Sequence, residues 1–300
     1  MKKSKITVIG SSNTDMVVQS SKLPAPGETV LGGKFIMNPG GKGANQAVAA
    51  SKLGGEVTFI AKLGNDIFGR EAIHGFDKEG IHTKYISTHE DQPSGVALIM
   101  VDDHGENSIS VALGANATLN TEDIDKGLEV ISNSDYVLMQ LEIPIKAVNY
   151  AAKKASENGV KVVLNPAPAQ SLSDELLGNL HIITPNETEA QLLTGVKVTD
   201  VNSAQKAAEI LKSKGVEMVI ITLGSKGAYV FTDEFKGLII APKVTPIDTT
   251  AAGDTFNGAL VVALGEGMNI QEAVEFSNKA AAISVTRLGA QASTPYREEL

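Results

Sequence analysis

The strongest constraint on how this chain folds is a rhythm. Short runs of Val, Ile and Leu alternate with amphipathic stretches along most of its 300 residues. The apolar runs fall at 5–9, 57–61, 136–141, 161–165, 181–184 and 217–223. Between them, residues 44–53, 69–79, 145–158 and 203–214 place apolar side chains at helical spacing. Strands that are apolar on both faces and separated by helices predict an α/β fold: three layers, with a mostly parallel sheet flanked by helices.

Two segments break the rhythm. Residues 16–35 hold several short alternating pieces around Leu23-Pro24-Ala25-Pro26-Gly27, and 94–112 reads as strands 95–101 and 107–112 joined by Asp102-Asp103-His104-Gly105-Glu106. Turn residues of that kind predict a hairpin. Together the two insertions, at about 13–36 and 94–112, predict a small separate sheet set into a single α/β domain covering 1–300. Such a sheet needs a cover for its apolar face, either the active site or a second copy of itself.

Composition narrows the function. Hydrophobic content of 42% with 20% charged residues describes a soluble globular chain, not a disordered one. A formal charge of −9 argues against nucleic acid as a partner, and means that local donors must hold any anionic ligand. With no cysteine there is no disulfide framework, thiolate nucleophile or Cys-based zinc site. The start lacks a signal-peptide pattern and no segment has membrane-span character, so a cytoplasmic location is expected. None of the five histidines sits in an HExxH or triad-like pattern, which argues against a histidine-based hydrolase.

Two glycine-rich sites carry the chemistry. In Asp248-Thr249-Thr250-Ala251-Ala252-Gly253-Asp254-Thr255, small residues lead into a helix start whose free N–H groups suit a phosphate-like anion. Asp254 would repel that anion. It reads instead as a base, as a group near Mg²⁺, or simply as an Asp favoured by the helix dipole. Pro39-Gly40-Gly41-Lys42-Gly43-Ala44-Asn45 allows close backbone approach to a ligand, with Asn45 able both to donate and to accept. Neither site is a Walker A loop or a dinucleotide fingerprint, and Gly10 stands alone after the first strand. Polar or glycine residues also follow several strands: Asn13 and Asp15, Glu142, Asn186, and Thr222 to Gly227. The carboxyl ends of strands are where open α/β sheets bind ligands.

Over essentially its whole length the chain resembles the ribokinase (PfkB-type carbohydrate kinase) family. Residues 40–45 match the first family signature and 248–256 the second, with 13–15, 139–142, 165–169, 184–189 and 286–291 in the right order. Ala251 departs from the glycine common in the wider family. The resemblance implies that Asp254 is the catalytic base, with Ala252, Gly253 and Asp254 forming a backbone anion hole. It implies ribose contacts at Asn13, Thr14, Asp15, Gly41, Lys42, Gly43, Ala44, Asn45 and Glu142. The ATP site would comprise Asn186, Thr222, Leu223, Gly224, Ser225, Lys226, Gly227 and Asn278, together with the anion hole. Mg²⁺ would accompany ATP. A monovalent cation such as K⁺ would sit at Asp248, Thr250, Ser284, Arg287, Gly289 and Ser293, with 284, 287 and 289 acting mainly through carbonyls. A homodimer through the inserted sheets, acting as lids, is also implied. The rivals are a kinase for another sugar or a nucleoside, and a sugar-binding regulator without catalysis. Only Lys42 stands inside the first glycine motif, which favours a neutral sugar over a phosphorylated one.

Overall fold

A computed structural model of the chain describes residues 3–300. Thirteen strands are present among them: β1 Lys5–Ile9, β2 Asn13–Gln19, β3 Lys34–Gly40, β4 Glu56–Gly64, β5 Ile86–His89, β6 Gly95–Val101, β7 Asn107–Ala112, β8 Tyr136–Met139, β9 Lys161–Leu164, β10 Ile182–Ile183, β11 Met218–Thr222, β12 Ala228–Phe231 and β13 Lys236–Ile239. Nine form one sheet in the order β13-β12-β11-β10-β9-β8-β1-β4-β5. All of its pairings are parallel except β11–β12 and β12–β13.

Each central strand feeds two cores. In β8, Val137 and Met139 join one apolar cluster with the helix Ile145–Glu157, while Tyr136 and Leu138 join the other with the helices Lys42–Lys52 and Ala252–Gly265. Successive side chains point to opposite faces, so a strand covered on both sides reads as an unbroken apolar run. The helix Ala252–Gly265 is buried from Asp254 through Ala263. Full burial of residues such as Leu260 and Val261 stabilises by about 1.5–3 kcal/mol each. That packing holds Asp254 in the first turn of a buried helix.

The chain turns in opposite directions from β1, since β4 lies on one side of it and β8 on the other. This switch point places residues after β1, β8, β9 and β10, and the end of β11, along one edge.

The second sheet has the order β3-β2-β6-β7. Its hairpin runs as expected, with Asp102 Oδ1 accepting from the N–H groups of His104 (2.8 Å) and Glu106 (3.0 Å). The first insertion differs from expectation. One strand ends at Gln19, the next begins at Lys34, and no strand lies between them, where Pro24, Pro26 and three positive-φ glycines interrupt pairing. β3 then runs on to Gly40, beyond 36, so the first glycine motif begins inside a strand. The antiparallel strands β12 and β13 at one end of the sheet and the short β5 at the other had no alternating signal long enough to predict them.

Candidate active site

The two glycine motifs meet at Asp254. Asn45 Nδ2 donates to its Oδ2 at 3.0 Å, and Gln46 Nε2 donates to its Oδ1 at 2.9 Å. Asp254 is only 6% exposed. Burial pushes its pKa up, while the Lys42 ammonium and the two amide donors pull it back. Lys42 is itself half-buried, and that desolvation alone would lower its pKa. The surrounding carboxylates of Asp254, Glu142, Glu189 and Asp15 outweigh this and hold the ammonium above its usual range.

The glycines of the first motif are required by the protein's own packing. Gly41 has φ 89°, and a Cβ there would lie 2.6 Å from the Asn13 nitrogen; at Gly43 it would lie 2.5 Å from the Ser11 nitrogen. Both therefore let the helix Lys42–Lys52 press against the turn after β1, where Ala44 N–H donates to the Ser11 carbonyl at 2.8 Å. Glu142 completes the junction. Its Oε2 accepts from Ser11 Oγ at 2.6 Å and from Lys42 N–H at 2.9 Å.

At the second motif the opposite holds. A Cβ on Gly253 would meet nothing within 4 Å, and Ala251, Ala252, Gly253 and Asp254 all face a cavity of about 880 Å³. Ala251 adopts φ 58°, the one positive φ at a non-glycine among the described residues, which explains why glycine suits this position. Ala252 N–H already reaches the Thr249 carbonyl at 3.3 Å. No backbone acceptor among the described residues takes the N–H of Gly253 or Asp254, as the first turn of a helix leaves them.

The same cavity is lined by Lys42, Asn186, Thr222, Gly224, Ser225, Gly227 and Asn278. Of the remaining expected nucleotide residues, Leu223 is buried and Lys226 is exposed on the turn, and neither lines the cavity. Asn186 caps the helix Glu187–Thr194, its Oδ1 accepting from Glu189 N–H at 2.8 Å. Asn13, Asp15, Asn45 and Glu142 lie on the other side of Asp254, toward the second sheet, so Lys42 and Asp254 are shared by the two sides. Thr14 points to the face of β2 opposite Asp15, alternating with it along the strand.

Several contributors carried only a weak sequence signal. Asn116, buried in the turn after β7, donates from Nδ2 to Asn13 Oδ1 at 2.8 Å and accepts from Ser12 N–H at 2.9 Å. Asn13 is left with its NH₂ end available. Gln46, one residue past Asn45, also donates to Asn165 Oδ1 at 3.1 Å and accepts from Gln140 Nε2 at 2.6 Å. Their signal is an amide side chain immediately beside a motif or at a strand end. Asn45 Oδ1 is buried without a partner.

Asp248 lies apart from Asp254 and meets the segment after the helix Ile270–Ser284. Its Oδ2 accepts from Gly289 N–H at 2.9 Å and its Oδ1 from Thr250 N–H at 2.9 Å, while Asp248 N–H donates to the Val285 carbonyl at 3.2 Å. Burial would raise its pKa, yet these hydrogen bonds hold the carboxyl below the usual range. The hydroxyls of Ser284 and Ser293 donate to Ala281 and Ala290 carbonyls, and the Arg287 guanidinium turns away to Glu299.

An α/β sheet with a switch-point cavity, an open helix N-terminus and a buried carboxylate has the parts that phosphoryl transfer by a kinase requires. The chain belongs to the pfkB family of carbohydrate kinases, whose model matches residues 3–297. It is 51% identical to a ribokinase of Haemophilus influenzae over 98% of this chain and 96% of that one. A crystal structure of ribokinase from Thermotoga maritima superposes with TM-score 0.90 at 43% identity, covering 98% of this chain and 97% of the other. A structure of Arabidopsis thaliana ribokinase complexed with ribose and ATP superposes with TM-score 0.91 at 34% identity, covering 99% and 97%.

Proposed function

We propose that the protein transfers the γ-phosphoryl group of MgATP to the 5-hydroxyl of D-ribose, giving ribose 5-phosphate and ADP. The observation that carries this reading is Asp254, a buried carboxylate between the 880 Å³ cavity and the polar cluster at the root of β2. The sugar's O5–H proton passes to Asp254 as O5 bonds to the γ-phosphorus. The bond from that phosphorus to the β–γ bridging oxygen breaks, and Asp254 later returns the proton to water. In a loose transition state the alcohol becomes acidic late, so an ionised carboxylate of modest basicity is sufficient. The unpaired N–H groups of Gly253 and Asp254 lie where charge on the transferring group needs donors.

Ribose is held by groups of matching polarity. Asn13 offers its NH₂ end because Asn116 occupies its oxygen, and the orphaned Asn45 Oδ1 suits a sugar hydroxyl. Asp15 accepts from neighbouring hydroxyls, while Lys42 and the Glu142 junction fix the floor. Asn186, Thr222, Gly224, Ser225, Gly227 and Asn278 form the nucleotide wall.

Mg²⁺ is normally carried on nucleotide phosphates with one or two carboxylates, and Glu187 and Glu189 supply such groups on the cavity wall. When bound, the metal would neutralise phosphate charge. A K⁺ ion would be held in the Asp248 region by that anionic carboxylate together with oxygens of Thr250, Ser284, Arg287, Gly289 and Ser293, a donor type suited to a hard cation. Asp248 and Gly289 brace the loop that leads into the Ala252–Gly265 helix, so the cation would act on the preorganisation of that loop. The second sheet serves as a lid over ribose and as the pairing surface of a homodimer. Phe35, Met37 and Leu98 are each more than half exposed on one face of it, an apolar patch that a second copy would cover, while Ile109 and Val111 stand on the face that carries Asp15. Dependence on ATP supports a cytoplasmic location, and no helix among the described residues is long and apolar enough to cross a membrane.

The direct test is Asp254→Asn. Ribose and ATP binding should stay near wild type by calorimetry while kcat falls by about 10²-fold or more. Turnover at the wild-type rate would remove Asp254 as the base.

A further inference from the structure

Two buried acceptors near Asp254 have no partner: Asn45 Oδ1 and Gln140 Oε1. In both residues the amide is turned so that its NH₂ end points toward the carboxylate, directly from Asn45 and through Gln46 from Gln140. Leaving a buried oxygen unpaired is unfavourable, so an orientation that does so is set by a stronger demand elsewhere. For Asn45 a sugar hydroxyl would satisfy the oxygen. Gln140 has no such outlet. Its side chain is fully buried, and its oxygen lies where a Cβ on Gly10 would come within 2.1 Å. The lone glycine after β1 thus makes room for this amide.

The demand that fixes the chain is Asp254 itself. Were Gln46 flipped, its oxygen would face Asp254 Oδ1 and Asn165 Oδ1, two acceptors now at 2.9 and 3.1 Å from its nitrogen. Gln140 blocks the flip by donating to Gln46 Oε1 at 2.6 Å. The result is a one-way relay of donors from β8 to the helix Ala252–Gly265.

We propose that Gln46 is a positioning residue for phosphoryl transfer, holding the Asp254 carboxylate in its rotamer and presenting it with a donor, with Gln140 fixing which end of the Gln46 amide faces it. This rests on the reading of Asp254 as the base. Each carboxylate oxygen has a second lone pair, so the hold from Gln46 leaves Asp254 free to take the sugar proton. The charged groups facing Asp254 are Lys42 at the start of the helix Lys42–Lys52, Glu142 after β8, Asp15 on β2 and Glu189 on the cavity wall. Gln46 adds no charge to this set, which is why an amide and not a carboxylate is needed there.

The test is the pH dependence of kcat for Gln46→Glu, which keeps shape and adds a like charge beside the base. Its acid limb should move up by about one unit or more, with kcat at pH 7 down about tenfold and recovering toward pH 9. KM for ribose and ATP should change little, because the base works in the transition state. Gln140→Met, which frees Gln46 to rotate, should shift the limb in the same direction by less and covers the case in which Gln46→Glu does not fold. A purely structural role predicts a lower Tm with an unmoved limb in both variants, and that result would overturn the proposal. Asp254→Asn run alongside separates the two readings. If it loses turnover while neither Gln variant moves the limb, only the role of Gln46 falls; if it retains turnover, the base assignment falls with it.

Discussion

Asp15 sits at the root of β2, where burial, together with the Glu142 and Asp254 carboxylates, raises its pKa to about 6. The consequences for stability and for binding have opposite signs. In the unfolded chain the group titrates near 3.8, so between that pH and about 6 the folded state binds the extra proton. Stability contributed by this site is therefore present at low pH and is lost as pH rises through 6. The proposed role of Asp15 as an acceptor for ribose hydroxyls calls for the ionised form, so kcat/KM for ribose should fall as pH drops below about 6. Asp15→Asn should raise thermal stability at pH 7.5 by about 1 kcal/mol or more, screening included, while KM for ribose rises at least about tenfold. Scanning calorimetry and steady-state kinetics on one preparation check both; a variant that is less stable and binds normally would contradict the charge crowding described.

At the scale of elements, two helix starts use small residues for opposite ends. At the helix Lys42–Lys52 the space beside Gly43 is filled by the protein's own backbone, whereas at Ala252–Gly265 the space beside Gly253 is open. Gly43→Ala should cost several kcal/mol in denaturant unfolding, at the upper end of about 1–5 kcal/mol for single changes, because backbone would have to move. Gly253→Ala should leave stability unchanged or raise it by up to about 1 kcal/mol through helix propensity, yet weaken ATP use by filling the anion site. Ala251 tests the strained entry. Ala251→Gly should keep activity, while Ala251→Val should lose about 1–3 kcal/mol, a β-branched residue being poorly tolerated at φ 58°. Equal stabilities for the Gly and Val variants would show that the turn relaxes freely.

Across the whole molecule, the second sheet is the surface least suited to being alone in water. Leu98 pairs in register with Ser110 and Ile109 with Ile99, so Leu98 and Ile109 stand on opposite faces of the sheet. Leu98→Glu and Ile109→Glu, measured by light scattering, should separate the faces: the one used for pairing yields monomers at micromolar concentration. A wild-type protein that is monomeric at every concentration tested would remove the dimer. Exchange of K⁺ for Li⁺ or a bulky organic cation should lower kcat, and indifference to the cation would undo the assignment at Asp248.

The layered α/β architecture, the hairpin at 95–112 and the two glycine motifs were legible in the sequence, because apolar period and turn chemistry are local properties of the chain. Asn13, Glu142 and Asp254 were readable as binding-type residues, since each follows a strand or opens a helix. Their gathering at one rim was expected from their strand-end positions and from the family resemblance, but the parts played by Asn116, Gln46 and Gln140 were not readable. The Gln46–Asp254 hydrogen bond spans 208 positions and the Asn116–Asn13 bond spans 103. Contacts at such separations are set by which strands neighbour β1 and by how closely the helices at 42 and 252 approach. The sequence by itself determined the elements and the polar groups at their ends. Only the tertiary structure decided which amide faces which carboxylate, because orientation follows from packing against distant backbone and leaves no local periodic trace.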